Sequence, residues 1–428
     1  MEVFKFGGAS VKDAASFCNV PRILEHFKER HIVVVISAMG KTTNALEHLV
    51  RSYFYKDEEP ELEFNKIKKY HFAIIEELFS DKDHPVYADI EQLFNNLKSL
   101  LSEPPSSDFD FEYDRIVPYG EMISSKILSH FLNLKGIQNT WFDITRILIT
   151  DNEFRNAKVN WQKTLANVKT QFSPVIKQNH MAVLQGFIGK SENGHIVTLG
   201  REGSDYSAAI IAYCLDAESV TIWKDVAGVL NADPKYFKET QIINKLAYSD
   251  AVELAYYGAS VIHPKTIKPL ENKKIPLFVK SFANPKADGT IIQSTPVKLP
   301  LPVNIFKVNQ VLISIYPNDF SFIAVENLRD IFSILADNKA AINLMQNTAI
   351  SFSLVIDYDP EKLEILIENL KKQFKVRYNT GLELLTIRNF DQPTIEKITG
   401  GKEILLEQKT RSTAQYVVRT IITEESNN

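Results

Sequence analysis

Through the first 295 residues, short continuous apolar runs alternate with stretches whose apolar positions recur every three or four residues. Residues 2–6 (EVFKF) alternate in side-chain character and suit a short strand. Residues 32–37 (IVVVIS) form a continuous β-branched run, as in a strand covered on both faces. Residues 182–188 and 219–223 read the same way, and helical patterns intervene at 13–30, 43–55 and 205–215. This alternation predicts an α/β domain with a mostly parallel sheet. Residues 65–101, rich in Glu, Lys, Leu and Phe and free of glycine, predict a helical insertion, followed by a loop at 103–108 (EPPSSD).

The rhythm changes at residues 296–302 (PVKLPLP), where three prolines in seven residues predict a semi-extended linker. Beyond it come strand 308–316, helix 323–338, strands 341–346 and 350–357, helix 360–373 and strand 382–388. A helix at 392–399 and strands at 403–408 and 413–419 follow. This βαββαβ rhythm, partly repeated, predicts one complete small α+β module and one abbreviated copy, with a domain boundary near residue 296.

A chain of 428 residues is too long for one ordinary core, so two or three domains are expected. Its 44% hydrophobic and 24% charged residues describe a soluble globular protein. The net charge of −4 argues against general nucleic-acid binding, so a phosphate site must be a local concentration of Lys and Arg. Cys18 and Cys214 lie far apart without metal-ligand spacing and read as buried thiols in a reducing compartment. The chain opens on a strand carrying Glu2 and Lys5 rather than on an apolar signal segment, and no apolar run approaches the roughly 20 residues of a membrane helix. A cytoplasmic location without membrane contact is expected.

Five clusters then add chemistry. In Lys5-Phe-Gly7-Gly8-Ala-Ser, a charged side chain stands at the mouth of a two-glycine turn after the first strand. Such a turn lets backbone amides close on an anion, and it also serves as a plain strand-to-helix junction. Thr198-Leu-Gly200-Arg201-Glu202-Gly203-Ser204-Asp205 opens a helix, whose unpaired amides and partial positive charge favour anions. A helix capped by Ser204 or Asp205 is the plainer alternative. The segment from Trp223 to Lys235 follows a strand, with Lys224, Asp225, Asp233 and Lys235 among apolar residues that suit a purine and its phosphates. The segment from Ser37 to Asn44 sits at the carboxyl end of the 32–37 strand, where open α/β folds bind ligands, with Thr43 as the alternative helix cap. Tyr119-Gly120-Glu121 opens another helix, where a glutamate ordinarily serves the helix dipole.

These clusters, in this order, resemble the amino acid kinase family and its aspartokinase branch. The segment from Tyr257 to Pro264 (YGASVIHP) matches a further signature of that family. The likeness covers residues 1–295, and the C-terminal region resembles paired ACT regulatory domains. It implies an αβα sandwich catalytic domain at 1–295 and an ACT-type region at 303–428, with one full module at about 305–380 and an abbreviated one at about 381–425. It implies transfer of the ATP γ-phosphoryl to the β-carboxylate of L-aspartate, giving 4-phospho-L-aspartate, the first step of lysine, threonine and methionine biosynthesis. Lys5, with the amides of Gly7 and Gly8, would neutralise the moving phosphoryl, and Asp205 would orient Lys5. Arg201 would clamp the substrate α-carboxylate, Glu121 its ammonium, and Ser37, Thr43 and Ser204 would also contact it. Lys5, Gly8, Lys224, Asp225, Asp233 and Lys235 would hold ATP, with Mg²⁺ bridging its phosphates and no protein-held metal.

The same resemblance implies homo-oligomers formed through the ACT regions, and a lysine or threonine effector near Asp319, Ile342 and Asn343. The chain departs from the family pattern at Ser260, where a lysine is common, and at Arg146, displaced by one position in Phe142-Asp143-Ile-Thr-Arg146. Asn343 stands where lysine-sensitive members often carry an aspartate, so it would meet an ammonium without charge. A kinase for another carboxylate, and a non-catalytic amino-acid sensor that kept the fold, are the competing expectations.

Overall fold

The computed structural model describes residues 1–179, 181–259, 262–295, 299, 301–319 and 321–421. Ser260 and most of the expected linker, residues 296–298 and 300, lie outside the described residues. The chain divides into two compact units. One comprises Met1–Val229, Ile242–Val252 and Ser260–Val297, and the other Leu230–Gln241, Glu253–Ala259 and Lys298–Asn428.

The first unit is built on an eight-stranded sheet. Its strands are β1 (Glu2–Phe6), β2 (Ile32–Ile36), β3 (Thr140–Trp141), β4 (Met181–Gln185), β5 (Ser219–Lys224), β6 (Lys245–Ala247), β7 (Leu277–Ser281) and β8 (Thr290–Gln293). Their spatial order is β3-β4-β2-β1-β5-β7-β8-β6, parallel throughout except between β7 and β8. The five residues of β1 and of β2 are all buried, which accounts for the unbroken apolar run of β2, while β1 buries Glu2 and Lys5 as well. Helices α1 (Ala14–Glu25), α2 (Thr42–Tyr55), α3 (Pro60–Leu78), α4 (Pro85–Ser102), α5 (Tyr119–Leu134) and α6 (Gly203–Leu215) cover or extend it. Phe4, Phe6, Val34 and Ile36 pack with Phe17 of α1 and with Ile123, Ile127 and Phe131 of α5 in one core. Each such buried side chain contributes roughly 1.5–3 kcal/mol.

Three expectations change here. The helix expected over 13–30 starts with Asp13 as its cap, the carboxylate accepting from Ser16 N–H at 2.7 Å, and stops at Glu25. The helical insertion expected over 65–101 begins earlier, at Pro60, and comprises two helices, with Pro85 in the first turn of α4. The strand expected over 182–188 ends at Gln185. Gly186 then packs against Ser204 with no room for a side chain, since a Cβ there would stand 2.5 Å from the Ser204 Cβ. Ile188–Ser191 then joins a separate three-stranded sheet with Ile149–Thr150 and Ile196–Thr198. Cys214 is buried as expected, whereas Cys18 is only half-buried.

The second unit holds a six-stranded antiparallel sheet. Its strands are β9 (Val303–Pro317), β10 (Ile342–Asn347), β11 (Phe352–Asp357), β12 (Phe374–Arg388), β13 (Lys402–Lys409) and β14 (Thr413–Thr420), in the order β10-β11-β9-β12-β14-β13. Helices α7 (Val325–Asp337), α8 (Pro360–Lys371) and α9 (Gln392–Thr399) accompany it. Strands β9 and β12 are long enough to serve both halves. The stretch from Gln310 to Pro317 pairs with Phe374 to Leu382, while Val303 to Lys307 pairs with Leu384 to Arg388. The register shifts between Lys307 and Leu312, where Asn309 turns into the left-handed region. The C-terminal half-sheet therefore takes one strand from residues 303–307, outside the 381–425 expected for the abbreviated module.

Candidate active site

Strands β2, β1 and β5 are neighbours in parallel register, with Phe6 opposite both Ile36 and Trp223. Their carboxyl ends therefore coincide, bringing Ser37, Gly7 and Lys224 to one edge of the sheet. Lys5, 8% exposed, lies just inside that edge. Its Nζ is 2.6 Å from Oδ1 of Asp205, in the first turn of α6, and the Lys224 ammonium is 3.7 Å from Oδ2. Burial pushes the Asp205 carboxyl up, but the charges of Lys5 and Lys224 outweigh it and hold the group below the usual carboxylate range.

The turn ahead of α6 explains why Asp205 is available. Gly200 and Glu202 both take positive φ, at +76° and +53°. Glu202 occupies the cap position without a side-chain capping bond, so neither Ser204 nor Asp205 caps the helix. The Glu202 carboxylate instead accepts the His263 backbone N–H at 2.9 Å. Arg201 projects exposed from the turn, and Ser204 is buried behind it.

Two loops interlock opposite. A Cβ at Gly8 would stand 2.7 Å from Ala38 O and 2.8 Å from Gly40 O, so only glycine fits, and Gly8 O accepts Gly40 N–H at 3.0 Å. Gly120 lies as close to Ala38, which sets α5 against the 37–41 loop. Glu121 then reaches under that loop: Oε1 accepts the Ala38 N–H at 3.1 Å, and Oε2 has no hydrogen-bond partner. Burial pushes this carboxyl up to about 8, against the Ala38 hydrogen bond and the charge of Lys5. Lys41 occupies the cap position of α2, so Thr43 is no cap.

A cavity of about 590 Å³ joins these parts. Of the residues expected to act, Lys5, Ser37, Thr43, Glu121, Arg201, Ser204, Asp205 and Lys224 line it. Gly7 and Gly8 shape the adjoining loop without lining it, and exposed Asp225 follows Lys224 outside the lining. Asp233 and Lys235 belong to the second unit, where Asp233 Oδ1 accepts the Lys235 N–H at 2.8 Å. Glu47 and Arg155 also line the cavity and carried no expectation. Glu47 follows Thr43 by four residues on α2, a spacing that puts both on one face and marks it in retrospect. Arg155 sits in an irregular segment with no such signal.

In the second unit, exposed Asp319 accepts from Ser321 N–H at 3.1 Å. Ile342 opens β10, half-buried. Asn343 is already engaged: Oδ1 accepts from the Lys307 ammonium at 2.7 Å, and Nδ2 donates to Gln310 Oε1 at 2.8 Å and to Asp357 Oδ1 at 2.9 Å. Among the described residues, no three His, Cys, Asp or Glu side chains gather to hold a metal ion, and no helix is long and apolar enough to cross a membrane.

A mostly parallel sheet with two lysines about one buried carboxylate at its carboxyl edge makes an α/β protein whose site suits an anionic ligand. The model of the amino acid kinase family matches residues 1–281. Lysine-sensitive aspartokinase 3 of Escherichia coli K12 is 30% identical over 415 residues, covering 94% of this chain and 89% of that protein. Among solved structures, E. coli aspartokinase III with aspartate and ADP superposes with a TM-score of 0.83 at 27% identity, covering 98% of this chain and 96% of that one. The same enzyme with lysine and aspartate gives 0.80 at 26% identity over the same shares. The chain belongs to the amino acid kinase family and, within it, to the aspartokinases.

Proposed function

We propose that this protein phosphorylates the β-carboxylate of L-aspartate with Mg-ATP, giving 4-phospho-L-aspartate. The observation that carries the reading is the buried Lys5–Asp205 pair beside a cavity that also holds Arg201 and Glu121. A carboxylate is already a nucleophile at neutral pH, so no general base is required. The work is to bring two anions together and to stabilise charge spreading over the phosphoryl oxygens. Lys5 neutralises that charge, held in place by Asp205. Arg201 clamps the acceptor's α-carboxylate, with Ser37, Thr43 and Ser204 about it. Glu121 takes the acceptor's ammonium through its unpartnered oxygen. Lys224 and Asp225, at the end of β5, hold ATP together with Lys5 and Gly8. Mg²⁺ comes with the nucleotide, because such ions are held mainly by phosphate oxygens and water rather than by a protein cage.

We assign residues 1–295 to catalysis and 303–428 to ACT-type regulation, with residues 303–307 contributing to the C-terminal module. Association into homo-oligomers through those modules, an amino-acid effector and a cytoplasmic location complete the proposal. A lysine effector at Asn343 would have to displace the Lys307 ammonium. The test is aspartate-dependent ADP release with the acyl phosphate trapped by hydroxylamine. Hydroxamate formed from glutamate but not aspartate would indicate a different acceptor. No hydroxamate at any Mg-ATP and aspartate concentration, with a thermal shift on adding lysine or threonine, would favour a sensor.

A further inference from the structure

Arg155 is a non-glycine residue at φ +60°, a conformation that persists only when its surroundings impose it. Its N–H donates to Oδ2 of Asp114 at 2.9 Å. That fully buried carboxylate also accepts the Thr198 N–H at 3.0 Å and the Thr198 hydroxyl at 2.7 Å. The Arg155 carbonyl abuts Gly200, 3.0 Å from where a Cβ would stand. The backbone of Arg155 is thus clipped to the segment that presents Arg201.

The side chain is equally fixed. Its guanidinium lies over the Tyr113 ring at 4.4 Å, Nη1 donates to Asp110 Oδ1 at 2.9 Å, and Nη2 is 3.8 Å from Glu47 Oε1. At 3.8 Å there is no hydrogen bond to Glu47, so the Nη2 edge is positioned by charge without being consumed. Both side chains line the cavity that holds Arg201 and Glu121. The Arg155 side chain is itself 39% exposed but is gripped by Tyr113 and Asp110, whereas exposed Arg201 must be ordered when substrate arrives. A guanidinium already held by an aromatic face and a carboxylate has lost that freedom on folding, so its hydrogen bonds to a ligand are less opposed by entropy.

We infer that Arg155 is a further specificity-determining residue, whose Nη2 edge reads the α-carboxylate of the acceptor beside Arg201 while Asp110 and Glu47 hold the guanidinium in place. The inference rests on reading this cavity as the aspartate site. It distinguishes aspartate from β-alanine, which is aspartate without its α-carboxylate.

Arg155→Gly and Arg155→Lys test it. Glycine suits the positive φ, so that variant keeps the backbone, and lysine keeps the charge while losing the fork. Binding of aspartate and of β-alanine is measured by calorimetry, which reports on Arg155 whether or not turnover is seen; turnover by the parent protein separately tests the catalytic reading. The expected result is aspartate binding weakened about tenfold to a hundredfold in Arg155→Gly, as for loss of a charge-assisted hydrogen bond, with β-alanine binding unchanged. The KM for ATP should stay within about twofold, and Arg155→Lys should recover part of the loss. Equal weakening of both ligands would make Arg155 a loop staple and overturn the inference. Undiminished aspartate binding in Arg155→Gly, or a parent protein that binds no aspartate, would overturn it as well.

Discussion

Glu121→Gln separates what burying a carboxyl does to the fold from what the carboxyl does for the substrate. In the free protein burial holds this group at about 8, whereas in the unfolded chain it titrates near 4.5. Between those values the folded state carries a proton that the unfolded state has lost. Stability is therefore unaffected below pH 4.5, falls as pH rises towards 8, and levels off above it. The displacement from 4.5 to about 8 corresponds to roughly 5 kcal/mol, an upper limit because the site can admit water as it ionises. Glutamine has no proton to lose, so the variant should match its parent near pH 4 and resist urea better by up to several kcal/mol at pH 9. Aspartate adds a second arm. If its ammonium meets Oε2, binding at pH 7 ionises Glu121 and releases about 0.9 proton per ligand. Calorimetry in buffers of different ionisation enthalpy measures that number, which should vanish in the variant along with most of the affinity. Affinity in the parent should rise about ninefold from pH 6 to 7 and about fivefold from pH 7 to 8. Parallel urea curves for parent and variant from pH 5 to 9, with no proton released on binding, would refute the reasoning.

Lys5→Met and Asp205→Asn should each lower kcat by about 10²–10³ while changing ATP affinity far less, because the buried pair acts on charge that develops during transfer; normal turnover in Lys5→Met would exclude that role. Gly8→Ala forces a Cβ against two carbonyl oxygens at 2.7 and 2.8 Å, so the two loops must part; a lower melting temperature and a raised KM for aspartate are expected, and an unchanged enzyme would show that the loops yield freely. Lys307→Met removes the ammonium bound to Asn343 Oδ1. Free lysine should then raise the melting temperature of the variant more than that of the parent, and equal shifts would show that Asn343 is not an ammonium contact.

What was legible in the chain follows from where each signal resides. Lys5 and Asp205 are 200 positions apart, yet each stands at the end of an element with a local signature: a short strand before two glycines, and a helix opening after Gly-Arg-Glu-Gly. Parallel pairing of β1 with β2 and β5 aligns the carboxyl ends of those strands, and the Lys5–Asp205 ion pair joins the opening of α6 to them. The strand over 182–188 misleads because its apolar run continues through Gly186 to Ile188, which belongs to a separate sheet. The long β12 was half hidden for the opposite reason. Residues 375–381 are mostly exposed and polar, so the pairing with β9 leaves no apolar alternation to read. Asn343 looked like an open contact because Lys307 lies 36 residues away on a neighbouring part of the sheet.

Arg155 marks the limit most sharply. Its left-handed backbone, its buried anchor Asp114 and its loose neighbour Glu47 come from three distant segments, and none announces the others. Motifs reveal residues whose chemistry depends on their immediate neighbours in the chain. A side chain held by contacts from separate segments carries no such mark. The cavity residues that sit beside a local motif, Lys5, Glu121, Arg201 and Asp205 among them, were thus readable from sequence, while Arg155 and Glu47 emerged only once the segments were brought together. If Arg155 reads the acceptor as inferred, specificity here can drift through substitutions at 47, 110 and 114 that leave every recognisable motif intact.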